Sequence, residues 1–511
     1  MAKKKIKVLQ IGQNNWSDSC QIPDNMVWNH ADFNHYQEHF FNKKGKPVKP
    51  FGLLIFTDHH FPKEDMMDLL PFATSYSVFY DEKLAEKSKE NPLFRYRKAE
   101  ALNMDQPQEV INHLALSHFP GQAGASENMS HVDVFESFSG DVSYEGNSYI
   151  TLQGQFGDDF TSLLTWRYNI VHEKNQPLEM WFEFIKDASI ELQLKVYSLV
   201  GGSSEISRVR SFSGQDLEKQ LIIDDGDSTT YLSVVLLAKG QGQLKIGALH
   251  QRWTRLGAGA FIAGGQRLVD DKRQELIAYF SPGDMKPPLN VYFSGYRSAE
   301  GFEGYWMMAN MNAPFILIGD PRIEGGSFYM GSDQLENQVT EFIKDKLTEL
   351  QFTKEQLILS GLSMGTFGAS YYASKLQPHA VIIGKPLFSL GNIALNGYRV
   401  RPDEFGTAFD MVKLLTGGLD QKHIDMINNK FWDSFDQADL SGTLFAIAYM
   451  KNDDYDSTAY YDLLDHIKGK PVKVISKGVE GRHNDNSGSI NQWFLNQYAR
   501  IMSLDFGRRP R

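Results

Sequence analysis

Residues 357–370 read LILSGLSMGTFGAS. Leu357, Ile358 and Leu359 make a short buried-type strand, Gly361 to Gly365 make a tight turn, and a helix runs on from Phe367 to Leu376, stopping before Pro378. A G-x-S-x-G turn between a strand and a helix holds a serine in a strained conformation, with its hydroxyl projecting from the top of a parallel sheet. Glycine is needed on both sides because neighbouring backbone passes too close for a Cβ. Five residues of common type also fit a glycine-rich turn in an ordinary α/β domain, so the flanking strand and helix carry the weight. Ser363 is the expected nucleophile.

Outward from this turn, strands and helices alternate from about residue 257 to 511, which predicts a parallel sheet. Strands are expected at 276–280, 290–293, 315–318, 357–359, 381–383, 444–450 and 472–476, with an amphipathic helix at 333–349. A serine hydroxyl reacts only when a base takes its proton, and the base needs a carboxylate to fix its tautomer. In an α/β-hydrolase-like domain these follow in the order serine, acid, histidine, each at the end of a later strand. His483 comes just after the last expected strand, in GVEGRHND, and precedes a helix at 490–503. The strand at 444–450 runs into Asn452, Asp453 and Asp454. Asp453 is favoured as the acid and Asp454 as a solvated or capping residue; Asp456 and Asp485 remain open.

An oxyanion needs backbone donors set in advance. The amide of Met364 is one, and Gly295 and Tyr296, in the loop after 290–293, fit the second by position. Arg322, after the next strand, is a candidate for an anionic part of a donor, with a structural ion pair as its favoured role. An insertion at 399–440, rich in Phe, Trp and Asp, is placed to cap the pocket.

From 136 to 256 the apolar pattern changes to period two. Strands at 149–155, 163–171, 178–184, 190–199, 219–223, 231–238 and 243–248, separated by Gly, Asp, Asn and Ser, predict a β-sandwich. Trp166, Tyr168, Trp181 and Trp253 are its candidate sugar-stacking rings, with core packing as the alternative use. Residues 1–135 form an expected α/β unit, with strands at 6–11, 53–57 and 76–80 and helices beginning at Lys63 and at 82–90 and 107–116. The GQNNW loop after the first strand lacks the glycine spacing of a dinucleotide fingerprint. Asp58, His59 and His60 end a strand without accompanying Cys or carboxylate spacing, so no metal is expected there.

At 511 residues the chain is long enough for two or three cores, and 41% hydrophobic content fills them. A net charge of -11 argues against nucleic-acid binding, which calls for a basic face. The single cysteine, Cys20, makes no internal disulfide and suits a reducing compartment. The beginning, MAKKKIKVLQIGQNNW, has too short an apolar run for a signal peptide, and no stretch approaches the ~18 apolar residues of a membrane span. Lys3 to Lys5 and Arg508, Arg509 and Arg511 are expected to be solvated ends. Composition thus points to the cytoplasm, with any membrane contact peripheral.

The order of an α/β unit (1–135), a β-sandwich (136–256) and a hydrolase-like domain (257–511), with GLSMGTFGAS, NDD and GRHND in the last, resembles the second of the accessory secretory proteins of the Gram-positive accessory Sec system. The resemblance covers essentially the whole chain. It implies a cytoplasmic, membrane-associated protein that takes part in export of serine-rich repeat glycoproteins and O-acetylates their N-acetylglucosamine. It carries the catalytic serine to Ser363, the acid to Asp453 and the histidine to His483. It also implies, as partners, the other accessory secretory proteins, the accessory motor ATPase and the glycoprotein substrate, with no bound cofactor and an acetyl donor that the sequence does not name. Two further readings are a non-catalytic transport adaptor, suggested by the large non-catalytic half, and a plain carboxylesterase.

Overall fold

The computed structural model describes residues 5–59, 61, 66–224, 226, 228–323, 326–401 and 405–508. Its strands form three sheets. The third carries the elbow, and its strands are numbered here β1 (Gln266–Val269), β2 (Glu275–Ser281), β3 (Leu289–Phe293), β4 (Phe315–Gly319), β5 (Leu357–Leu362), β6 (Ala380–Gly384), β7 (Leu444–Met450) and β8 (Lys473–Val479). They lie in the order β1-β2-β4-β3-β5-β6-β7-β8. β1 and β2 run antiparallel to their neighbours; β4 through β8 are parallel.

Seven of these eight strands fall where the apolar runs predict them, and β1, which is short and half polar, does not announce itself. The runs are near-continuous because both faces are covered. Alternate residues supply two cores. Ala278, Phe280, Val291, Phe293 and Leu359 pack under helices Asp333–Leu350 and Met364–Leu376. Ile277, Tyr279, Tyr292, Ile358 and Ile382 pack under helix Ser487–Leu504 through Phe494, Tyr498 and Ile501. Helix Leu390–Val400 leads into the insertion, whose described residues hold helices Ala408–Thr416 and Gln421–Gln437. The last buries Ile424, Ile427, Phe431 and Phe435 at helical spacing against the first core.

The middle of the chain differs from its expected layout. Residues 149–155 and 163–166 belong to one strand, Tyr149–Trp166, and 231–238 and 243–248 belong to another, Thr230–Trp253. These long strands pair with each other in a continuous ten-stranded antiparallel sheet, in place of two separate stacked sheets. The glycines that look like turns are its bend. Gly157 faces Gly240 and Gly154 faces Gly242, with register shifts around Gly240. All four have positive φ, and a Cβ on Gly240 would lie 2.1 Å from the Ser189 carbonyl. Ile150 and Leu152 before the bend and Leu163 and Leu164 after it enter one core. The sheet also begins earlier than residue 136, taking in Gly124–Glu127 and Val132–Val134. Strand Ile206–Ser213, mostly exposed, is not visible in the apolar pattern.

Trp166 and Trp181 are buried, so they are not sugar platforms; Trp253 is half-buried against Phe119, and only Tyr168 is exposed, against His131.

The first sheet is five parallel strands in the order Met26–Ala31, Ile6–Ile11, Leu53–Phe56, Val78–Asp81, Glu100–Leu102, a doubly wound arrangement. At its switch point Asp58 Oδ1 accepts the Gln13 amide at 3.0 Å. His59 pairs with Asp81 at 3.1 Å. His60 lies outside the described residues, as do the first three residues of the helix expected from Lys63; the described part holds a 3-10 helix, Met67–Phe72.

Buried polar contacts lock the three sheets together. Arg97 donates to the Gly283 carbonyl at 2.8 Å, and Arg255 donates to Phe119 at 2.7 Å. Arg252, on the long strand, donates to Glu275 at 2.7 Å and Glu300 at 2.9 Å. His250 lies 2.5 Å from Glu300 and 3.3 Å from Glu183. Arg508 is not a solvated end: it donates to the carbonyls of Lys286 and Asn312 at 3.0 and 2.7 Å and pairs with Asp284 at 2.8 Å. Arg509, Arg511, Lys3 and Lys4 lie outside the described residues. Among the described residues no helix is long and apolar enough to cross a membrane.

Candidate active site

Ser363 terminates β5 and caps helix Met364–Leu376 with φ 52° and ψ -122°. That conformation costs a non-glycine residue about 1–3 kcal/mol, and the surroundings enforce it. A Cβ on Gly361 would sit 2.2 Å from the Gly365 carbonyl oxygen, and one on Gly365 would sit 2.1 Å from that of Phe293. The Ser363 amide donates to Gly384 at 2.9 Å, tying the turn to β6, and Thr366 Oγ1 donates to the Ser363 carbonyl at 2.6 Å.

The loop between β8 and helix Ser487–Leu504 delivers His483, whose Nε2 lies 2.8 Å from Ser363 Oγ. Its Nδ1 lies 2.8 Å from Asp453 Oδ2. An ionised carboxylate only accepts, so Nδ1 carries the proton and Nε2 is left with a lone pair for the serine hydroxyl. Asp453, just past β7, is itself held: its Oδ1 accepts the amides of Tyr455 and Asp456 at 2.9 and 3.2 Å. Both Asp453 and His483 are buried.

The neighbouring acids have other tasks. Asp454 is not merely solvated: Oδ1 accepts the His483 backbone amide at 2.9 Å and Oδ2 takes Arg401 at 3.0 Å. Asp456 Oδ2 accepts the amides of Phe388 and Ser389 at 2.7 and 2.8 Å. Burial pushes its carboxyl up to about 6 against those two hydrogen bonds. Asp485 Oδ2 accepts the Arg482 amide at 2.9 Å.

Ser363, Met364 and His483 open onto a cavity of about 290 Å³, walled by Tyr296, Phe328, Leu387, Ile393, Phe405 and Tyr455. The mostly apolar wall suits a short acyl group and sheds water. Met364 occupies the first position of its helix, where the amide has no intrahelical acceptor and the helix dipole favours negative charge.

One sequence expectation changes here, and the choice left open for Arg322 falls to the ion pair. The Gly295 amide donates to Glu303 Oε2 at 2.8 Å and is not turned to an oxyanion. Arg322 is fully buried and pairs with Asp320 through Nε at 2.8 Å and Nη2 at 2.7 Å, which raises its pKa despite burial. The same Asp320 accepts the amides of Ser327 and Tyr329 at 2.9 Å, so Arg322 shapes a loop behind the pocket and does not bind a donor.

Sequence reasoning passed over three residues around the histidine. Tyr455 packs on His483 with ring centroids 4.4 Å apart, and the Arg401 guanidinium lies over the same tyrosine ring at 3.5 Å. Lys385 follows β6 at φ 61° and reaches Ser487 Oγ at 3.0 Å and the Asp485 carbonyl at 3.1 Å. Burial lowers the Lys385 pKa, partly offset by Asp453. Tyr455 stands two positions after Asp453, a spacing that marks it in retrospect.

Comparison with known proteins places this geometry in a family. The profile described as "Accessory Sec system GspB-transporter" matches residues 6–508. An accessory Sec system protein of Streptococcus gordonii is 39% identical over 520 residues, covering 99% of this chain and 100% of that protein. One from Staphylococcus aureus is 40% identical over 513 residues, covering 99% and 98%. A chain in the solved structure described as a Glycosylation Associate Protein complex from Streptococcus agalactiae superposes with a TM-score of 0.91 at 40% identity, covering 99% of this chain and all of that one. With the match running from the first strand to the docked Arg508, the chain belongs to the accessory Sec system GspB-transporter family.

Proposed function

We propose that this chain O-acetylates N-acetylglucosamine on serine-rich repeat glycoproteins and supports their export, working beside the other accessory secretory proteins and the accessory motor ATPase at the cytoplasmic side of the membrane. The observation that carries the acyl-transfer reading is the unbroken relay of 2.8 Å contacts from Ser363 through His483 to Asp453. Ser363 Oγ bonds to the acetyl carbon of the donor as its proton passes to His483 Nε2. The oxyanion is assigned to the amide of Met364, with Tyr296 as the second donor by its place after β3, and the imidazolium is stabilised by Asp453. The tetrahedral adduct expels the donor's leaving group, which takes the proton from His483. A sugar hydroxyl then gives its proton to His483 and attacks the acetyl carbon, and Ser363 Oγ recovers a proton as it departs. The apolar wall of Phe328, Leu387 and Ile393 favours this acceptor over water. In this reading residues 257–511 act as the catalytic domain.

A fluorophosphonate probe tests the nucleophile: it is expected to label one peptide, that of Ser363, and Ser363→Ala or His483→Ala is expected to abolish the labelling. Labelling that persists in Ser363→Ala with the fold intact rejects the assignment.

A second role, docking of partners, is favoured by the location of the cavity lining, all of which falls between Tyr296 and Asn484. We assign the domains at 1–135 and 136–256 to assembly with the other accessory proteins, in keeping with the similar chain having been solved in a complex. Ser363→Ala is then expected to keep partner binding while losing acetyl transfer. Loss of partner binding by a folded Ser363→Ala protein contradicts this division.

A further inference from the structure

We propose that a second, polar cavity beside the catalytic one binds the acceptor sugar, a neutral N-acetylhexosamine, and presents it to the acyl group on Ser363. This deepens the acetyl-transfer reading and rests on it. The cavity, about 340 Å³, lies where the ten-stranded sheet, the catalytic sheet's loops and the cap helices meet. At ~30 Å³ per water it has the volume of about ten waters, suited to one sugar ring and not to a chain of them.

Its chemistry selects the ligand class. Asn128 and His131 come from a turn between two strands of the ten-stranded sheet and Glu183 from one of its strands, Gln274 and Ser298 from the third sheet's connections, and Thr407 from the cap. No lysine or arginine is among the lining residues, so nothing in the wall neutralises a phosphate. Amides, hydroxyls and a carboxylate match the mixed donors and acceptors of a sugar ring with an acetamido group.

One buried group asks for such a partner. Gln274 Nε2 donates to Tyr149 Oη at 2.8 Å and to Glu183 Oε2 at 2.9 Å, while its Oε1 is buried with no hydrogen-bond partner. Buried acceptors are normally satisfied, and this unsatisfied one belongs to a residue that lines the cavity.

The two cavities draw lining residues from the same two chain segments. Tyr296 and Phe405 line the catalytic cavity; Ser298 and Gly406, on the same two segments, line the polar one. A ring held in the polar cavity therefore lies against the segments that shape the approach to Ser363.

The test is direct binding of the methyl glycoside of N-acetylglucosamine to the full chain, read by saturation-transfer NMR. Binding is expected for wild type and for Ser363→Ala. At least a tenfold loss is expected for Gln274→Met, which removes the unpartnered acceptor, and for Ser298→Tyr, an exposed rim position that narrows the cavity, with melting temperatures confirming that each variant folds. No binding by the wild type, or binding untouched by both folded variants, overturns the proposal and leaves the Ser363 nucleophile standing. Sugar binding by a chain whose Ser363 takes no acyl group overturns the enzymatic reading and leaves the cavity standing.

Discussion

His483 hangs from Asp454 by its backbone, with the amide donating to Oδ1 at 2.9 Å, while its ring is held by the adjacent Asp453 at 2.8 Å. Two neighbouring carboxylates thus fix one histidine at two points, main chain and imidazole. The division predicts unequal consequences. Asp453→Asn leaves Nδ1 facing an amide that no longer stabilises the imidazolium, and kcat on an aryl acetate should fall by about 10³- to 10⁴-fold. Asp454→Asn keeps an oxygen for the His483 amide and should lose about tenfold or less. Equal losses in steady-state kinetics would remove the distinction.

The elbow depends on the absence of a side chain at Gly365. A Cβ there meets the Phe293 carbonyl oxygen at 2.1 Å, and β3 lies in the centre of the sheet with no room to retreat. Gly365→Ala is predicted to cost at least about 2 kcal/mol. Gly488 in helix Ser487–Leu504 has nothing within 4 Å of its built Cβ, and Gly488→Ala should stabilise by up to about 1 kcal/mol. Denaturant melts of both variants check the contrast; similar stabilities would contradict it.

Asp456 gives acid-range stability a defined slope. Its carboxyl is raised to about 6 from the ordinary 3.8 by burial, so the folded state holds its proton more tightly than the unfolded chain. The resulting stabilisation is complete below pH 3.8 and is lost as pH rises through 6. Asp456→Asn can still accept the amides of Phe388 and Ser389, which converge on one oxygen. Its stability relative to wild type should therefore climb between pH 4 and 6, as urea titrations would show. A flat difference across that range would contradict the assignment.

His250 does the same at higher pH. Burial pulls its pKa down, but Glu300 and Glu183 outweigh burial and hold it at about 9, above the usual 6.5. The proton contributes stability that is complete below pH 6.5 and is lost as pH rises through 9. Because Glu300 follows a strand of the third sheet and His250 lies in the ten-stranded sheet, the contact between those two should weaken over that window. The predicted readout is a ring titrating near pH 9 by NMR, absent in His250→Gln; titration of every histidine below pH 7.5 would refute it.

Much of the third sheet was legible because its strands are buried on both faces, and continuous apolar runs such as Leu444 to Met450 leave little choice of structure. The order of serine, acid and histidine followed from where those strands end. Which aspartate faces the ring did not, because Asp453 and Asp454 share a turn and only the folded loop decides where each side chain points. Gly295 misled because position after a strand fixes the edge of the sheet, not the partner, and Glu303 had already taken its amide; Arg322 took the ion pair favoured for it, with Asp320. In the middle of the chain, glycines at 154, 157, 240 and 242 carry the composition of turns, and only pairing across the strands shows that they bend one sheet.

The measurement that bears most directly on the central claim is mass analysis of the glycans on an exported serine-rich repeat glycoprotein, from cells carrying wild type or Ser363→Ala. The account predicts acetylated N-acetylglucosamine with the wild type and its loss with a folded Ser363→Ala protein. Glycan acetylation unchanged by that substitution would contradict it.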